Sequence, residues 1–335
     1  MNSRALRADI LLLITAAVWG FGFVAQRSGM EHVGPFAFNG IRFIMGSLFL
    51  FPFILFRRKH SLSLTVLPKN LLLASLAAGG CLFTAVILQQ FGIIFTSAGN
   101  AGFITGLYVV LTPFFGIFMG RKTGPVTWIG SVLTFVGLYF ISVAGSPSIN
   151  PGDIIIIIST FFWAAHVLLI DFLMQRKKDS SIDPLELSSG QFAVCGILSM
   201  LGAFFAEPII GGAVESIDPS LLDAGLFAWQ PFPVLVSAVK DGIISFPVQA
   251  LIPILYGGLC SVGIAYTLQV IAQRDAPPAH AVIILCFEGC FAALGGVLLL
   301  SEKVGPWSLL GFAFMLAGML ATQWEVVKKE KPLND

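Results

Sequence analysis

Residues 261–303, SVGIAYTLQVIAQRDAPPAHAVIILCFEGCFAALGGVLLLSEK, contain the pattern on which the fold depends. The stretch reads as the end of one apolar helix, a short Asp-Ala-Pro-Pro turn, and a complete second apolar helix with Glu288 near its middle. A carboxyl group in bilayer hydrocarbon costs about 2.5 kcal/mol or more on insertion scales, so it is normally turned toward the interior of a helix bundle. The stretch therefore predicts a membrane protein whose other helices enclose Glu288.

The composition of the whole chain agrees with a protein that crosses the membrane several times. Of its 335 residues, 56% are hydrophobic and 11% are charged, which is far from the balance of a soluble domain. The formal net charge of +1 gives no reason to expect a nucleic-acid partner. The chain has no nucleotide-binding motif or metal-ligand cluster, and its five cysteines lie in apolar runs. We therefore expect no cofactor, no metal site and no disulfide framework.

Ten apolar runs approach the length of about 20 residues that a helix needs to cross a bilayer. They are residues 10–26, 35–56, 71–95, 98–119, 126–143, 154–174, 184–206, 248–272, 277–300 and 306–324. The first run continues into Gln26 and Arg27 without a small-residue cleavage site, so we interpret it as a span and not as a signal peptide. Most of the 19 Lys and Arg residues fall in loops on one side, which predicts that both termini are cytoplasmic.

Repeated patterns divide the chain into two halves. Across the halves, Trp19 matches Trp163, Phe43 matches Phe192, Gly130 matches Gly311, and Gly137 matches Gly318. Each half holds five spans. Because five is odd, the second half enters the membrane from the opposite side and is inverted relative to the first, as in many secondary transporters. We predict an all-α integral membrane protein with ten transmembrane helices in two inverted five-helix repeats, 1–145 and 146–327. A cytoplasmic tail follows at 328–335, and an outer-side insertion at 207–247 is either a solvated loop or a functional lid.

Three segments then point to a known family. They are AAVWGFGFVAQ at 16–26, TSAGNAGFITGLYVVLTPFFGIFMG at 96–120, and AYTLQVIAQRDAPPAHAVIILCFEGCFAALGGVLLLSE at 265–302. In these segments the chain resembles the EamA family of the drug/metabolite transporter superfamily. The resemblance implies a ten-helix permease with a cavity lined by spans one, three, four, six, eight and nine. The chain departs from the family pattern at Gly289, where many members have proline, and at Arg121, where an acidic residue is common.

Glu288 is the first candidate for a substrate site because it lies about 16 Å into its span, near the bilayer centre. It could pair with a substrate ammonium group, hold a coupling proton, or serve as a structural carboxyl between helices. Arg42 lies about 10 Å in from the outer edge. It could attract an anionic group, pair with Glu288, or extend to the outer headgroups. We interpret Asp171 and Glu186, near the ends of their spans, as solvated or interfacial.

Trp19 and Trp163 hold matching positions in the first and sixth spans, too deep for interfacial anchoring. They could stack on a planar or cationic ligand, or fill space beside Gly20 and Ala164. His166 comes three residues after Trp163 and so lies near the same helix face. It could relay protons, or it could be a core imidazole held by a hydrogen bond.

Uncharged polar side chains complete the predicted cavity, and small or helix-breaking residues could let its helices move. The further polar candidates are Asn100, Tyr108, Tyr266 and Gln89. The candidates for gating or flexibility are Pro113, Gly106 and Gly289. Proline bends a helix by removing a backbone hydrogen bond, and glycine allows close, sliding contact between helices.

These features predict a secondary-active carrier of the cytoplasmic membrane that moves a small organic metabolite by alternating access. The coexistence of Arg42 and Glu288 favours an amino acid or related zwitterion as the substrate. Protons or another ion are candidate coupling partners, and lipids surround the carrier. Two alternatives stay open. One is a membrane scaffold or lipid-binding protein that transports nothing, and the other is an intramembrane enzyme centred on Glu288 and His166.

Overall fold

The structure is a computed structural model that describes residues 3–57, 69–118, 124–142, 150–175, 182–210, 248–276 and 278–330. All regular elements in these ranges are helices, which confirms the predicted all-α class. Most of the predicted insertion at 207–247 and the end of the tail at 328–335 lie outside the described residues, as does Arg121.

The principal helices often begin with proline, which fits the first turn of a helix because the amide it lacks would have no partner there. In chain order they are α1 (Ser3–Met30), α2 (Pro35–Arg57), α3 (Lys69–Phe95), α4 (Ala98–Thr105), α5 (Tyr108–Phe118), α6 (Pro125–Ser142), α7 (Pro151–Gln175), α8 (Pro184–Phe205), α9 (Val248–Leu255), the π-helix (Tyr256–Tyr266), α10 (Thr267–Ala272), α11 (Pro278–Leu285), α12 (Phe287–Leu300) and α13 (Pro306–Glu330). Because α9, the π-helix and α10 follow one another without a gap, they form one continuous helical rod.

Seven of the helical stretches are long and apolar enough to cross a membrane. They are Leu6–Met30, Pro35–Arg57, Lys69–Phe95, Ala98–Phe118, Pro151–Met174, Pro184–Phe205 and Gln249–Ala272. Three shorter apolar helices are Trp128–Gly137, Phe287–Leu300 and Pro306–Gly318. The outer surface of the bundle carries many exposed Leu, Ile and Phe side chains, as a lipid-facing surface does. The protein is therefore a multi-pass membrane protein.

Helix α1 runs through the middle of the bundle, with α12 on one side and the π-helix on the other. Its contact with α12 depends on Gly20, since a Cβ there would overlap the side chain of Phe291 and lie 2.7 Å from the Glu288 carbonyl oxygen. Around this centre, α2 packs on α8, and α3 packs on α7 and α8. Helices α6 and α13 pack chiefly on each other, with the rings of Phe140 and Trp307 stacked at 5.9 Å.

Two of the predicted spans are interrupted near their middles. One break falls at Gly106 and Leu107, between α4 and α5, and the other falls at Cys286, between α11 and α12. Pro113, the predicted bend of the fourth span, lies inside α5, and the interruption of the span falls at Gly106. Gly289 is inside the first turn of α12, where a Cβ would lie 3.1 Å from the Cα of Phe103. Gly289 thus serves close packing of α12 on α4.

Candidate functional site

A cavity of about 470 Å³, counted up to its open mouth, lies at the centre of the bundle. Seven of the nine predicted cavity residues form its wall, and each comes from a different helix. They are Trp19, Arg42, Gln89, Tyr108, Trp163, Tyr266 and Glu288. The fold therefore gathers polar and aromatic side chains that are up to 269 residues apart in sequence around one space.

Residues of α1 and of the rod that contains the π-helix line the cavity at several levels. The Thr15 hydroxyl donates to the Ala265 carbonyl oxygen (3.2 Å), and Trp19 Nε1 donates to the Ser261 carbonyl oxygen (3.2 Å). These two bonds show that α1 and the π-helix run antiparallel. Gln26 on α1 and Gln269 on α10 both line the cavity. They lie on opposite sides of the level at which Trp19 bonds to Ser261. At 1.5 Å per residue, they lie about 20 Å apart along the helices.

Three aromatic rings form one wall of the cavity. The ring centroids of Trp19 and Tyr266 are 4.4 Å apart, those of Trp163 and Tyr266 are 6.1 Å apart, and those of the two tryptophans are 6.5 Å apart. Trp19 is fixed by its hydrogen bond to Ser261, whereas the buried Nε1 of Trp163 has no hydrogen-bond partner among the described residues. The wall therefore presents to any molecule in the cavity its ring faces and one hydrogen-bond donor, Trp163 Nε1.

Glu288 is only 4% exposed, and its Oε1 atom has no hydrogen-bond partner among the described residues. The Tyr108 hydroxyl lies near the carboxyl group and interacts with it electrostatically. Tyr108 is likewise buried, and no described residue accepts a well-aligned hydrogen bond from it. Carboxyl and hydroxyl thus face the cavity as a pair with spare hydrogen-bonding capacity.

Arg42 is 2% exposed and lies in the cavity wall, so its side chain does not extend to the headgroup region. Its Nε atom donates to Asn39 Oδ1 at 2.8 Å. The guanidinium carbon lies 5.5 Å from the ring centre of Phe38 and 5.0 Å from that of Phe43. One hydrogen bond and two aromatic rings therefore position a buried cation whose remaining N–H groups are available at the cavity.

The two buried charges of the cavity are not paired with each other. Ion pairs join Arg27 to Glu302 and Arg57 to Asp183, and both pairs lie outside the cavity wall. Tyr266 lies between Arg42 and Glu288 and interacts electrostatically with both. The cavity therefore has a guanidinium group and a carboxyl group that share one aromatic wall.

Several lining residues were missing from the prediction, because small and amide side chains have no distinctive pattern. They are Phe23, Gln26, Thr105, Val167, Ser261 and Leu285, and Gln269 also lines the cavity. Gln26 has its Nε2 bound to the Gly22 carbonyl oxygen, and its Oε1 atom has no partner among the described residues. Phe23 and Gln26 follow Trp19 at four and seven residues, a spacing that would have placed them on its helix face.

The other predicted cavity residues lie outside the wall. His166 is fully buried behind Trp163, and its Nε2 atom lies 2.9 Å from Gln191 Oε1. Asn100 is half-buried in the first turn of α4, where its amide donates to the Ser97 hydroxyl. Asp171 was expected to be solvated, but it is 1% exposed. The packing of α7 against its neighbours covers it, and the sequence of α7 alone does not show that.

The flexibility candidates lie next to the cavity and not in its wall. The carbonyl oxygen of Gly106, at the α4–α5 break, accepts a hydrogen bond from the Cys286 thiol, at the α11–α12 break, with 3.7 Å between the atoms. The two interruptions therefore contact each other beside Tyr108 and Glu288. In the described residues, no group of three His, Cys, Asp or Glu side chains is close enough to hold a metal ion.

Sequence comparison finds similar proteins over most of the chain. The EamA-like transporter family matches it twice, at residues 6–143 and 150–323. An uncharacterized transporter of Archaeoglobus fulgidus is 26% identical over 327 residues, which cover 95% of this chain and 87% of the relative. The uncharacterized inner membrane transporter YedA of Escherichia coli (strain K12) is 28% identical over 253 residues, 67% of this chain and 80% of the relative.

Two further comparisons are more distant. A probable amino-acid metabolite efflux pump of Salmonella typhimurium is 25% identical over 192 residues, which cover 56% of this chain and 61% of the relative. A crystal structure with 15% sequence identity superposes with a TM-score of 0.65, covering 97% of this chain and 99% of that chain. At this identity the structural likeness concerns the fold alone.

Proposed function

The chain belongs to the EamA-like transporter family, and from this premise we propose that its central cavity binds a small organic metabolite during transport. The chain is a permease of the drug/metabolite transporter type, as the family and its relatives named as transporters show. The observation that supports the site is the convergence of seven helices on one buried space with polar groups left unpaired. Such a space is the default binding site of a membrane carrier.

The substrate is an amino acid or a related zwitterion. Arg42 and Glu288 are buried in the same cavity and are not bridged to each other, so each needs an opposite charge when the cavity closes. A carboxylate beside Arg42 and an ammonium group beside Glu288 meet this need with one small molecule. The rings of Trp19, Trp163 and Tyr266 cover its apolar part and attract its cationic end.

The carrier works by alternating access between two inverted five-helix repeats, residues 1–145 and 146–327. This architecture is supported by contacts between residues that match across the halves. The matched rings of Phe43 and Phe192 are 6.1 Å apart, and those of Trp19 and Trp163 are 6.5 Å apart. Residues related by a pseudo-two-fold axis meet in this way when they lie close to that axis.

Helices α6 and α13 give independent support for the same symmetry. A Cβ on Gly137 would lie 2.6 Å from the Gly311 carbonyl oxygen, and a Cβ on Gly318 would lie 2.5 Å from the Gly130 carbonyl oxygen. Gly130 matches Gly311 and Gly137 matches Gly318, so the contacts are reciprocal, as a two-fold relation requires. Counting α6, α11 with α12, and α13 with the seven long stretches gives ten spans, with both termini in the cytoplasm.

Transport by the purified protein tests this proposal. Proteoliposomes are loaded with unlabelled L-amino acids and placed in a mixture of ¹⁴C-labelled L-amino acids, and label entering by exchange is compared with that in protein-free liposomes. We expect accumulation that excess unlabelled substrate abolishes. As a second assay, vesicles are loaded with a small-molecule cell extract, and efflux of its components is measured by mass spectrometry. If neither assay detects movement, the result would favour the scaffold or lipid-binding alternative. Product formation without net movement would favour an intramembrane enzyme.

A further inference from the structure

A second group of buried polar side chains lies beyond the Gln269 end of the cavity, between α7, α8 and α10. We define this polar annex as His166, Gln191, Ser188 and Gln273, none of which is more than 1% exposed. None of the four lines the cavity, and the proposed binding of the metabolite does not use them. The polar annex requires an explanation, since burying polar groups in an apolar bundle is unfavourable unless they are hydrogen-bonded.

Hydrogen bonds connect three members of the polar annex, His166, Gln191 and Gln273, from helix to helix. His166 Nε2 lies 2.9 Å from Gln191 Oε1, which joins α7 to α8. Gln273 Nε2 donates to the carbonyl oxygen of Val167 at 3.4 Å, which joins the end of α10 to α7 next to His166. Val167 itself lines the cavity. The annex therefore begins directly behind the cavity wall.

The order of the residues along the helices shows where the annex leads. Gln273 is one helical turn beyond Gln269, in the direction away from Trp19 and Ser261. Ser188 is one turn before Gln191 and close to the start of α8, where Asp183 caps the helix and is 35% exposed in its ion pair with Arg57. The polar annex thus extends from the inner end of the cavity toward the surface at which α8 begins.

Each member retains a polar atom without a protein partner. In the described part of the chain these atoms are His166 Nδ1, Gln191 Nε2, Ser188 Oγ and Gln273 Oε1, and Gln269 Oε1 in the cavity wall is in the same condition. Leaving such an atom unsatisfied in a protein interior is unfavourable. Clustered polar atoms of this kind are satisfied by buried water that bridges them.

We propose that the polar annex is a hydrated proton pathway between the cavity and the cytoplasmic surface, in which His166 takes up and releases the proton coupled to transport. With Gln191 Oε1 accepting from Nε2–H, the neutral imidazole retains a lone pair on Nδ1. Nδ1 accepts a proton from water on one side and returns it to water on the other, and no other bond is made or broken. The pathway rests on the proposed function, because coupling presupposes a transported metabolite.

The imidazole is suited to this role by its chemistry and its surroundings. Histidine is the side chain whose ordinary titration range lies nearest to physiological pH. At Nε2 its hydrogen-bond partner is the neutral amide of Gln191. Titratable groups on the elements packed around it, and in the adjoining cavity, include Lys69 and Cys81 on α3, Tyr108 on α5, Asp153 and Asp171 on α7, Glu186 and Cys195 on α8, Tyr266 on the π-helix, Glu288 on α12 and Arg42 on α2. The side chain of His280, on α11, lies outside the described residues.

Hydrogen–deuterium exchange at the imidazole C2 position tests the pathway on the unmodified protein without a substrate. The purified protein is incubated in D₂O at a series of pH values, and exchange at each histidine is read by mass spectrometry. We expect His166 to exchange within about tenfold of the half-buried His32 and to show a step with pH, as an accessible, titrating imidazole does. Slower exchange without a step would overturn the proposal.

Proton movement in proteoliposomes tests the coupling. Uptake of the ¹⁴C-labelled amino acids is measured together with a pH-sensitive dye inside the vesicles, for the wild type, His166→Gln and Ser199→Ala. Ser199 is a matched control, a fully buried polar residue on α8 two turns beyond Gln191. We expect His166→Gln to keep amino-acid exchange within about twofold while losing proton movement at least about tenfold, and Ser199→Ala to keep both.

Proton movement by His166→Gln at the wild-type rate, or loss of amino-acid exchange together with proton movement, would contradict the inference. The failure of the proposed function has a different signature, which is the absence of amino-acid exchange in the wild type. In that case the C2 exchange of His166 still decides whether the annex is a hydrated, titrating pathway.

Discussion

Arg27 and Glu302 stabilise the turn between α3 and α4, although both residues belong to other parts of the chain. Glu302 accepts hydrogen bonds from the amides of Ala98 (2.8 Å) and Gly99 (3.2 Å), the first two residues of α4. Arg27 Nε lies 3.8 Å from Glu302 Oε1, and Arg27 Nη1 donates to the carbonyl oxygen of Thr96. The carboxylate thus satisfies amides at a helix start, and the guanidinium satisfies a carbonyl group just past a helix end.

Replacing Glu302 with glutamine should destabilise the turn between α3 and α4. The introduced amide would keep one acceptor oxygen but lose the charge that pairs with Arg27 and favours the start of α4. We expect the Glu302→Gln substitution to lower the free energy of unfolding by about 1–2 kcal/mol. Thermal unfolding of the detergent-purified protein measures it. Glu31→Gln, at an exposed position, is the control, and equal unfolding temperatures for the two variants would contradict the structural role of Glu302.

Gly20 and Gly80 offer a matched test of the contact between α1 and α12. A Cβ on Gly20 would overlap Phe291, whereas a Cβ on Gly80 would meet nothing within 4 Å. We expect Gly20→Ala to destabilise the fold by about 1–3 kcal/mol through overpacking and to displace Glu288. Gly80→Ala should be neutral or stabilise α3 by about 0.5–1 kcal/mol, because alanine favours a helix. Unfolding measurements that find equal effects would show that α1 and α12 do not pack this closely.

Trp19 and Trp163 line the same cavity but differ in the hydrogen bonding of the indole. Trp19→Phe removes the bond to the Ser261 carbonyl oxygen, whereas Trp163→Phe removes an Nε1 atom without a partner among the described residues. Both variants lose similar ring volume. We expect Trp19→Phe to be less stable than Trp163→Phe by about 1 kcal/mol, and chemical denaturation in mild detergent measures the difference. The reverse order would mean that Trp163 is the indole held by the backbone.

Arg42 is expected to recognise the carboxylate end of the substrate. Lysine keeps the charge but lacks the Nε that bonds Asn39 and the planar group that packs between Phe38 and Phe43. We expect Arg42→Lys to raise the half-saturation concentration for a transported amino acid at least about fivefold, while transport of the decarboxylated amine changes less. Arg7→Lys, at an exposed position, should change neither. Equal effects on both substrates would assign Arg42 a structural role.

The sequence predicts the aromatic and charged part of the cavity better than its amide and hydroxyl part. Glu288 and the tryptophans stand out because their depth is costly or unusual in a lipid-facing helix. Gln26 and Ser261 do not stand out, because an amide or hydroxyl in a span can equally bond to its own backbone, as Gln26 Nε2 does. Their place in the cavity wall depends on the antiparallel register of α1 and the π-helix, which no local pattern encodes.

Positions that depend on neighbouring helices were also beyond sequence reasoning. His166 follows Trp163 by three residues, which places it near the same face but does not show that Gln191 faces it. Asp171 is near a helix end in the sequence, yet its burial is decided by how far adjacent helices extend. The interruption of the fourth span at Gly106 had no local signal in the sequence, because Gly106 contacts Cys286, which lies 180 residues further along the chain.

Glu288 is the residue on which the proposed binding site most depends. Glu288→Gln keeps the size of the side chain but removes the charge that pairs with a substrate ammonium group. We expect transport of the ¹⁴C-labelled amino acids to fall at least about tenfold, because a buried ion pair loses one partner. The thermal unfolding temperature should stay within a few degrees of the wild type, because Glu288 Oε1 makes no hydrogen bond within the described residues.

Two further variants separate charge from shape at this position. Glu288→Asp retains the charge on a shorter side chain and should keep more transport than Glu288→Gln. Tyr108→Phe removes the hydroxyl that faces the carboxyl group and should reduce transport less than either, because it leaves the charge in place. Normal transport by Glu288→Gln would remove Glu288 from the mechanism. In that case the unpaired cation at Arg42 would select an anionic substrate. The amino acid and the analogous carboxylate without an ammonium group would then compete equally for transport.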